Sequence, residues 1–131
     1  SVPLERTVPA APVGTRSPGV IHFTCFPRPE RLTPEEFFHG WHDVHSPASF
    51  RLHPGRTGYV RDSVARCLTP GSPPYAAIVF EHFPTVDDYS APAKLYGPPE
   101  TMDETMANLP GYADFESLDG RPLFETVLRR R

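Results

Sequence analysis

The chain has 131 residues, enough for one hydrophobic core and hardly for two, so one compact domain is expected. Its 38% hydrophobic and 22% charged residues are near globular averages, and no apolar run approaches the roughly 18 residues of a membrane span. The net charge of −3 and the scattered basic residues argue against nucleic acid as a partner.

Proline is unusually frequent, with 18 residues in the chain, against a usual ~5%. Because proline breaks helix interiors and avoids central strands, the regular elements are expected to be short. Residues 1–18 are proline-rich and lack hydrophobic periodicity, which predicts an extended arm or a disordered leader before a folded domain over 19–131. Val20–Phe26 follows, and its β-branched and aromatic residues between proline-containing turns predict the first strand.

The first helix has the strongest local signal in the chain. Thr33 can cap it, Pro34 suits the first turn, and Glu36 can complete a capping box. The helix is predicted to run from Pro34 to about Ser46, because the next residue is a proline. An extra turn through Leu52 is the alternative end.

The rest of the chain predicts three more strands and a second helical region. Thr57–Leu68 alternates polar and apolar residues, as a half-exposed strand does, and Tyr75–Phe83 is a nearly continuous apolar run typical of a central strand. Thr85 can cap a second helix, and a further short helix is predicted over Glu100–Asn108. Leu123–Leu128 is the predicted last strand.

The resulting order, β-α-β-β-α-β, predicts an α+β fold of the ferredoxin-like type. Such a unit is a four-stranded antiparallel sheet with both helices on one face. The other face of so small a sheet also carries apolar residues and cannot remain in water. A second copy of the chain is therefore expected to cover it, which predicts a homodimer with a barrel-like cavity between the protomers.

The first helix and its surroundings resemble the EthD-like branch of the dimeric α+β barrel superfamily. The family pattern is a capped helix with Phe and Trp that ends in His-x-Pro, followed by a strand that opens with Pro-Gly and a Tyr. A later part of the pattern is an aromatic residue, a short polar turn and an acidic helix start. The matching residues are Leu32–Phe37, Trp41, His45–Pro47, Pro54-Gly55, Tyr59-Val60 and Phe83–Tyr89.

This resemblance implies a ferredoxin-like fold, a homodimer, and a cavity for a small organic molecule between sheet and helices. It does not imply one reaction, since relatives include muconolactone isomerases, polyketide and olivetolate cyclases, dehydratases, decarboxylases, cofactor-independent monooxygenases and haem enzymes. The methylmuconolactone isomerase branch has a histidine at the end of the first helix, which corresponds to His45. Phe80 stands where many EthD-like chains have Glu, so the resemblance implies that this chain either lacks that carboxylate or replaces it with Glu81 or His82.

Four residues are candidates for catalysis. His45 lies on the apolar arc of the first helix and could act as general base or acid, or be a core histidine bonded to a backbone carbonyl. Tyr59 could donate a hydrogen bond to a carbonyl or enolate, or simply keep its hydroxyl at a wet strand edge. His22 and His82 lie on strands that this fold makes neighbours, so both could enter the cavity, although the register is undetermined.

Substrate binding is assigned to residues expected to shape an apolar pocket. The predicted substrate-binding residues are Phe23, Trp41, Arg61 and Phe80.

Neither a metal site nor a cofactor is predicted. Three histidines, His39, His42 and His45, are spaced by three, but such steps drift by roughly 60° around a helix, so no metal site is expected. No histidine follows Phe83, and the haem relatives use one on the second helix, so haem is not expected.

The cysteines carry no predicted chemistry. Cys25 and Cys67 are too few for a secreted disulfide scaffold, and a disulfide between them is not expected, because another strand should separate theirs. Small buried thiols are the usual explanation for cysteines in strands. With no signal-peptide pattern at the start, a cytoplasmic protein is expected.

The leading functional hypothesis is a small, cofactor-free homodimeric enzyme of specialised or aromatic metabolism. It would catalyse proton-transfer chemistry, such as cyclisation, dehydration, lactone isomerisation or decarboxylation, on a small aromatic, polyketide-like or lactone substrate. One alternative is a cofactor-independent monooxygenase acting on a phenol or quinol. The other is a non-catalytic protein that binds a small molecule; under all three hypotheses, neither nucleic acid nor a membrane is a partner.

Overall fold

The computed structural model of the chain describes residues 2–6, 11–95 and 97–129. The β-strands are β1 (Val2–Arg6), β2 (Val20–Phe26), β3 (Gly58–Ser63), β4 (Ala77–Phe83) and β5 (Asp119–Leu123). The α-helices are α1 (Pro34–Phe38), α2 (Ser46–Leu52), α3 (Val86–Ser90), α4 (Pro92–Leu95) and α5 (Pro99–Asn108). A π-helical segment, His39–His45, joins α1 to α2, and two short 3₁₀ turns, Leu109–Gly111 and Phe115–Ser117, precede β5.

The strands form one antiparallel sheet in the order β1-β3-β4-β2-β5. The four strands other than β1 have the ferredoxin-like arrangement predicted from the sequence. The additional strand, β1, pairs with the edge strand β3 and comes from the segment for which the sequence predicted an arm or leader. Ser1 and residues 7–10 of that segment lie outside the described residues.

The ends of two elements differ from the predicted ones. Strand β3, which the sequence predicted over Thr57–Leu68, ends at Ser63, before the proline-rich loop that leads to β4. The last strand is Asp119–Leu123 instead of Leu123–Leu128. Residues 125–127 pair instead with residues 14–17, through an isolated bridge between Thr126 and Arg16 and two flanking backbone hydrogen bonds. The apolar composition after residue 122 favoured a strand there. In the structure it is residues 119–123 that form backbone hydrogen bonds with β2, so the strand lies earlier in the chain.

The helical region begins as predicted but takes an unpredicted form. Thr33 accepts a hydrogen bond from the Glu36 amide, and the Glu36 carboxylate accepts one from the Thr33 amide, which completes the capping box. The chain then passes through the π-helical segment and continues in α2 to Leu52, the alternative end. Because π-helical turns are wider than α-helical ones, side chains after His39 depart from the 100° spacing on which the apolar arc was based.

A close backbone approach fixes the π-helical segment against the chain that follows α5. A Cβ atom on Gly40 would lie 2.0 Å from the carbonyl oxygen of Gly111, closer than any real side chain allows. Only glycine permits this contact between two backbones. The approach matters for the site, because Tyr112 directly follows Gly111 and lies beneath the end of the π-helical segment.

The register assigns the strand residues to two faces of the sheet. The helix face packs against the helices and contributes Phe26, Tyr59 and Val79 to the main core with Phe37 and Trp41. The opposite face, here called the open face, carries apolar side chains that are only half-buried in one chain. Its apolar members are Ile21, Phe23, Val60, Ile78 and Phe80.

Candidate active site

A cavity of about 190 Å³ lies between the helix face of the sheet and the helices that cover it. It therefore lies within one chain, between sheet and helices, at the position that the family resemblance implied for a cavity. Strands supply one wall, the π-helical segment and α2 with the turn after it supply another, and α5 with the following turns closes it. Its lining includes His22, Phe26, Trp41, His45, His53, Arg56, Tyr59, Glu81, Thr105 and Tyr112.

His45 is the last residue of the π-helical segment, and its ring stacks on the ring of Tyr112 with centroids 4.5 Å apart. Its Nδ1 is buried and has no hydrogen-bond partner among the described residues, so Nε2 is the ring nitrogen available to a ligand. Burial lowers the pKa of His45 to about 4, although the carboxylate of Glu81 acts in the opposite direction. The ring is therefore neutral at neutral pH.

Tyr59 lies on β3 and places its hydroxyl 3.1 Å from the Ser46 hydroxyl at the start of α2. Burial raises the pKa of this phenol, despite the hydrogen bond with Ser46, so it keeps its proton at neutral pH. The guanidinium carbon of Arg56 lies 4.2 Å from the centre of the ring, a cation–π contact that holds the ring in place. Tyr59 is thus held in place at the cavity wall, and its single phenol proton is available to a ligand when Ser46 donates the hydrogen bond between the two hydroxyls.

Arg56 and Glu81 form a buried ion pair that joins the turn before β3 to β4. Arg56 donates from Nη1 to Glu81 Oε2 at 2.8 Å and from Nη2 to Ser49 Oγ at 3.0 Å. The side chains are only 1% and 16% exposed. Burial acts to raise the pKa of Glu81, but its electrostatic interactions with His53 and Arg56 and the Arg56 hydrogen bond outweigh it, so the pKa lies below its ordinary value. The cavity therefore contains an ionised carboxylate.

Two further histidines reach the cavity from opposite sides. His22 on β2 lies with Nδ1 3.1 Å from the Tyr89 hydroxyl, and burial lowers its pKa despite the Glu81 charge. His53 donates from Nδ1 to the carbonyl of Leu95 at 2.8 Å, which ties the end of α2 to α4. Sequence reasoning did not select His53; its only signal was the position immediately before the Pro-Gly turn that opens the next strand.

The structure separates His22 from His82. In the register of β2 and β4, His22 lies opposite Glu81, whereas His82 lies opposite Ile21, so the two histidines point to different faces. His82 Nε2 donates to the Pro18 carbonyl at 2.8 Å, and its Nδ1 accepts from the Thr57 hydroxyl at 2.7 Å. The expectation that both histidines enter one cavity is wrong, and His82 has a structural role between segments of backbone.

The predicted substrate-binding residues are also divided between the faces. Trp41 lines the cavity, as expected. Phe23 and Phe80 pair across β2 and β4 on the open face, with ring centroids 5.1 Å apart, so the prediction that they line this cavity is wrong. Arg61 is on the helix face but outside the cavity lining, and its Nη1 donates a long hydrogen bond of 3.5 Å to the carbonyl oxygen of His42.

Of the two residues that could replace the carboxylate missing at Phe80, only Glu81 lines the cavity. The sequence left Glu81 and His82 as alternatives to the missing carboxylate at Phe80, and the register selects Glu81. Arg56, Tyr112 and Thr105 were not selected from sequence, because Tyr112 and Thr105 lie in segments without a recognisable motif and Arg56, although next to Pro54-Gly55, is not itself part of that motif. Only the tertiary structure brings them to the cavity.

The histidines spaced by three residues do not converge. His39 is exposed and contacts Asp43, His42 packs against Trp41, and His45 alone of the three reaches the cavity. Within residues 2–6, 11–95 and 97–129, no cluster of histidine, cysteine, aspartate or glutamate has an arrangement that could hold a metal ion. Cys25 is buried and Cys67 exposed, and both are free thiols.

Together these groups can move a proton. A neutral imidazole, a protonated phenol and an ionised carboxylate surround a partly apolar space in which their electrostatic effects are stronger than in water. Glu81 favours the protonated form of His45, so it would stabilise an imidazolium formed when the ring accepts a proton. This arrangement is typical of general acid–base catalysis on a small organic molecule.

Comparison with solved structures supports the class that the fold defines. An EthD-like protein from Ralstonia eutropha JMP134 superposes with a TM-score of 0.53 at 16% sequence identity, covering 87% of this chain and 96% of its own. A dimeric ferredoxin-like protein of unknown function from Thermobifida fusca YX has a TM-score of 0.52 at 13% identity, covering 90% and 97%. Comparisons with protein-family models and with curated protein sequences give no match. The chain therefore has the ferredoxin-like fold of EthD-like proteins, as the sequence predicted.

No described helix is long and apolar enough to cross a lipid bilayer. The longest, α5, has ten residues. A transmembrane helix needs about 20 predominantly apolar residues.

Proposed function

We propose that this chain is a small enzyme that catalyses proton transfer, without a cofactor, on a small aromatic, polyketide-like or lactone substrate. The observation that carries the proposal is the neutral His45 ring at a cavity shared with a fixed phenol and a buried carboxylate. The reactions consistent with it are cyclisation, dehydration, isomerisation and decarboxylation, since each requires a proton to leave or reach carbon or oxygen.

In the proposed mechanism His45 transfers the proton and Tyr59 stabilises the charge that develops on the substrate. The neutral His45 ring is in the form that accepts a proton, through Nε2, at neutral pH. Tyr59 donates its hydroxyl to a substrate carbonyl as that oxygen gains enolate character. Glu81, held by Arg56, stabilises the resulting imidazolium through its negative charge.

Replacement of His45 by alanine is expected to lower turnover by about 10²- to 10⁴-fold, because the proton acceptor is removed while the core around Phe37 is unchanged. The measurement is incubation of the purified protein with metabolite extract of its native host, followed by mass spectrometry. Loss of water or carbon dioxide, or a new isomer of unchanged mass, is the expected result for the wild type.

The matched control is His39→Ala, on the same π-helical segment, where the ring is exposed and outside the cavity. This variant should retain wild-type turnover. Turnover retained by His45→Ala would remove His45 from the mechanism. A product that gains oxygen would favour the monooxygenase, and a compound that is bound but never converted would favour a binding protein.

We also propose that the chain forms a homodimer through the open face of the sheet. Its apolar side chains, including Phe23 and Phe80, are only half-buried in one chain and form a continuous patch across β2, β3 and β4. Patches of this kind on small proteins mark interaction surfaces. The Thermobifida fusca protein of similar fold is described as dimeric, which supports a second copy as the occupant.

Replacement of Phe80 by glutamate is expected to convert the dimer to a monomer, because a two-fold interface would bury two carboxylates without counterions. Light scattering during size-exclusion chromatography should give twice the chain mass of 14.6 kDa for the wild type and a single chain mass for the variant. Leu68→Glu, in the loop before β4 where the side chain is 79% exposed, should remain dimeric. A monomeric wild type at high micromolar concentration would contradict the proposal.

A further inference from the structure

The cavity has a definite size and charge, and both restrict the molecule that it can hold. Its volume of about 190 Å³ slightly exceeds the roughly 150 Å³ of an engineered cavity that binds benzene. A single ring with one or two small substituents therefore fits, whereas a fused ring system would require the walls to move. The walls themselves are aromatic, with Phe26, Trp41, Tyr59 and Tyr112 around the space.

The only guanidinium in the cavity lining is already engaged by the protein. Arg56 donates to Glu81 and to Ser49, and its face covers the ring of Tyr59. Because its charge balances that of Glu81, it leaves no excess positive charge at that point of the wall for an anionic ligand. A ligand carboxylate or phosphate would instead enter a confined space beside an ionised carboxylate, which is unfavourable.

The carboxylate of Glu81 is only partly used. Arg56 bonds Oε2, and the side chain lines the cavity and is 16% exposed, so Oε1 is the oxygen to which a ligand would donate a hydrogen bond. An ionised carboxylate accepts hydrogen bonds and cannot donate one. The complementary group on a ligand is therefore a hydroxyl or another neutral donor.

We propose that the cavity selects a neutral, single-ring molecule that carries a hydroxyl group and donates it to Glu81. The inference rests on the proposed function only in taking this cavity as the ligand site, and it narrows the substrate class to phenols and enols without a carboxylate. Discrimination comes from the buried acceptor, since sites built to hydrogen-bond a hydroxyl reject analogues that lack it.

The test is the binding of four probes of similar size to the wild-type protein. Phenol carries the donor, toluene replaces the hydroxyl with a methyl group, benzaldehyde offers only an acceptor, and benzoate carries a negative charge. Binding is measured by titration calorimetry at pH 8, where an ordinary imidazole and phenol itself are both neutral. Trp41 is the sole tryptophan of the chain and lines the cavity, so its fluorescence reports the same binding site.

Phenol is expected to bind about 10- to 100-fold more tightly than toluene, the effect of a hydrogen bond to a charged group. Benzaldehyde is expected to bind with an affinity between the two, because its carbonyl can accept only the weaker hydrogen bond of the neutral Tyr59 phenol. Benzoate is expected to bind most weakly. Equal affinity for phenol and toluene, tightest binding of benzoate, or no binding of any probe would each overturn the inference. This test measures binding and not turnover, so it is independent of the experiment with His45→Ala. Selective binding of phenol, together with no conversion of any compound in that experiment, would contradict the proposed function and leave this inference standing.

Variants identify the acceptor. Glu81→Gln should reduce the preference for phenol over toluene to less than about threefold, since a neutral amide accepts more weakly than a carboxylate. This variant leaves Arg56 without its counterion, so its folding is checked by circular dichroism, and the double variant Arg56→Gln with Glu81→Gln removes both charges together. A full preference for phenol in a folded double variant would show that Glu81 is not the acceptor.

Discussion

Arg56→Met is expected to lower the free energy of unfolding by about 3 to 5 kcal/mol, the usual effect of breaking a buried ion pair by removing one partner. The reason is that the carboxylate of Glu81, 16% exposed, would lose its counterion and the hydrogen bond to Oε2. The Ser49 hydroxyl and the ring of Tyr59 would also lose their contacts with the guanidinium. Urea or guanidinium denaturation followed by circular dichroism measures the change.

The chain offers a matched control in Arg51, which forms two hydrogen bonds with Glu104 between α2 and α5. Those side chains are 64% and 42% exposed, so water replaces the lost contact, and Arg51→Met should leave the free energy of unfolding nearly unchanged. A double variant, Arg56→Met with Glu81→Leu, should recover much of the stability. If Arg56→Met costs no more than Arg51→Met, the buried pair does not have the stabilising role given to it.

The second large effect is a loss of stability in acid that depends on His45. Its pKa falls from 6.5 to about 4 in the folded protein, chiefly because the ring is buried. Between these values the unfolded chain binds the proton and the folded protein does not, so the free energy of unfolding falls as the pH falls. At pH 4.5 this group alone should cost about 2 to 3 kcal/mol relative to pH 7.5, and the loss is complete only below the folded pKa.

His45→Leu should remove that contribution, because the variant has no ring to protonate. Denaturation of the wild type and the variant at pH 7.5 and pH 4.5 gives two differences in stability, and the variant's should be smaller by about 2 to 3 kcal/mol. Glu81, whose pKa is lowered, also contributes acid sensitivity, but it does so in both proteins. His39→Leu is the control for replacing a histidine on the same segment, and equal acid sensitivity in wild type and His45→Leu would contradict the assigned cause.

Much of the fold could be predicted because its signals are local. The strand Val20–Phe26 has the predicted ends, and the capping box of Thr33 and Glu36 marks the start of α1. Thr85 caps α3 through the amide of Asp88, again as predicted. The added strand β1 could not be predicted, since its sequence is proline-rich and only its pairing with the edge of β3 makes it a strand.

The candidate site was predictable in part. His45, Tyr59, His22 and Trp41 all line the cavity, and they were selected by an apolar helical arc, a family pattern or residue type. The error over His82, Phe23 and Phe80 has one cause, because strand residues alternate between faces and a shift of one position exchanges them. Sequence alone did not determine that register.

The sequence by itself determined the elements whose causes lie within a few residues: the caps of α1 and α3, the proline-limited lengths, and the strands with β-branched and aromatic residues. Tertiary structure alone decided which strand faces meet the helices, because that depends on pairing between segments far apart in the chain. It also decided that Glu81 pairs with Arg56 and that Tyr112 lies beneath His45, through the Gly40–Gly111 contact. These long-range contacts create the burial that keeps His45 neutral, and so they give the residue its proposed chemistry.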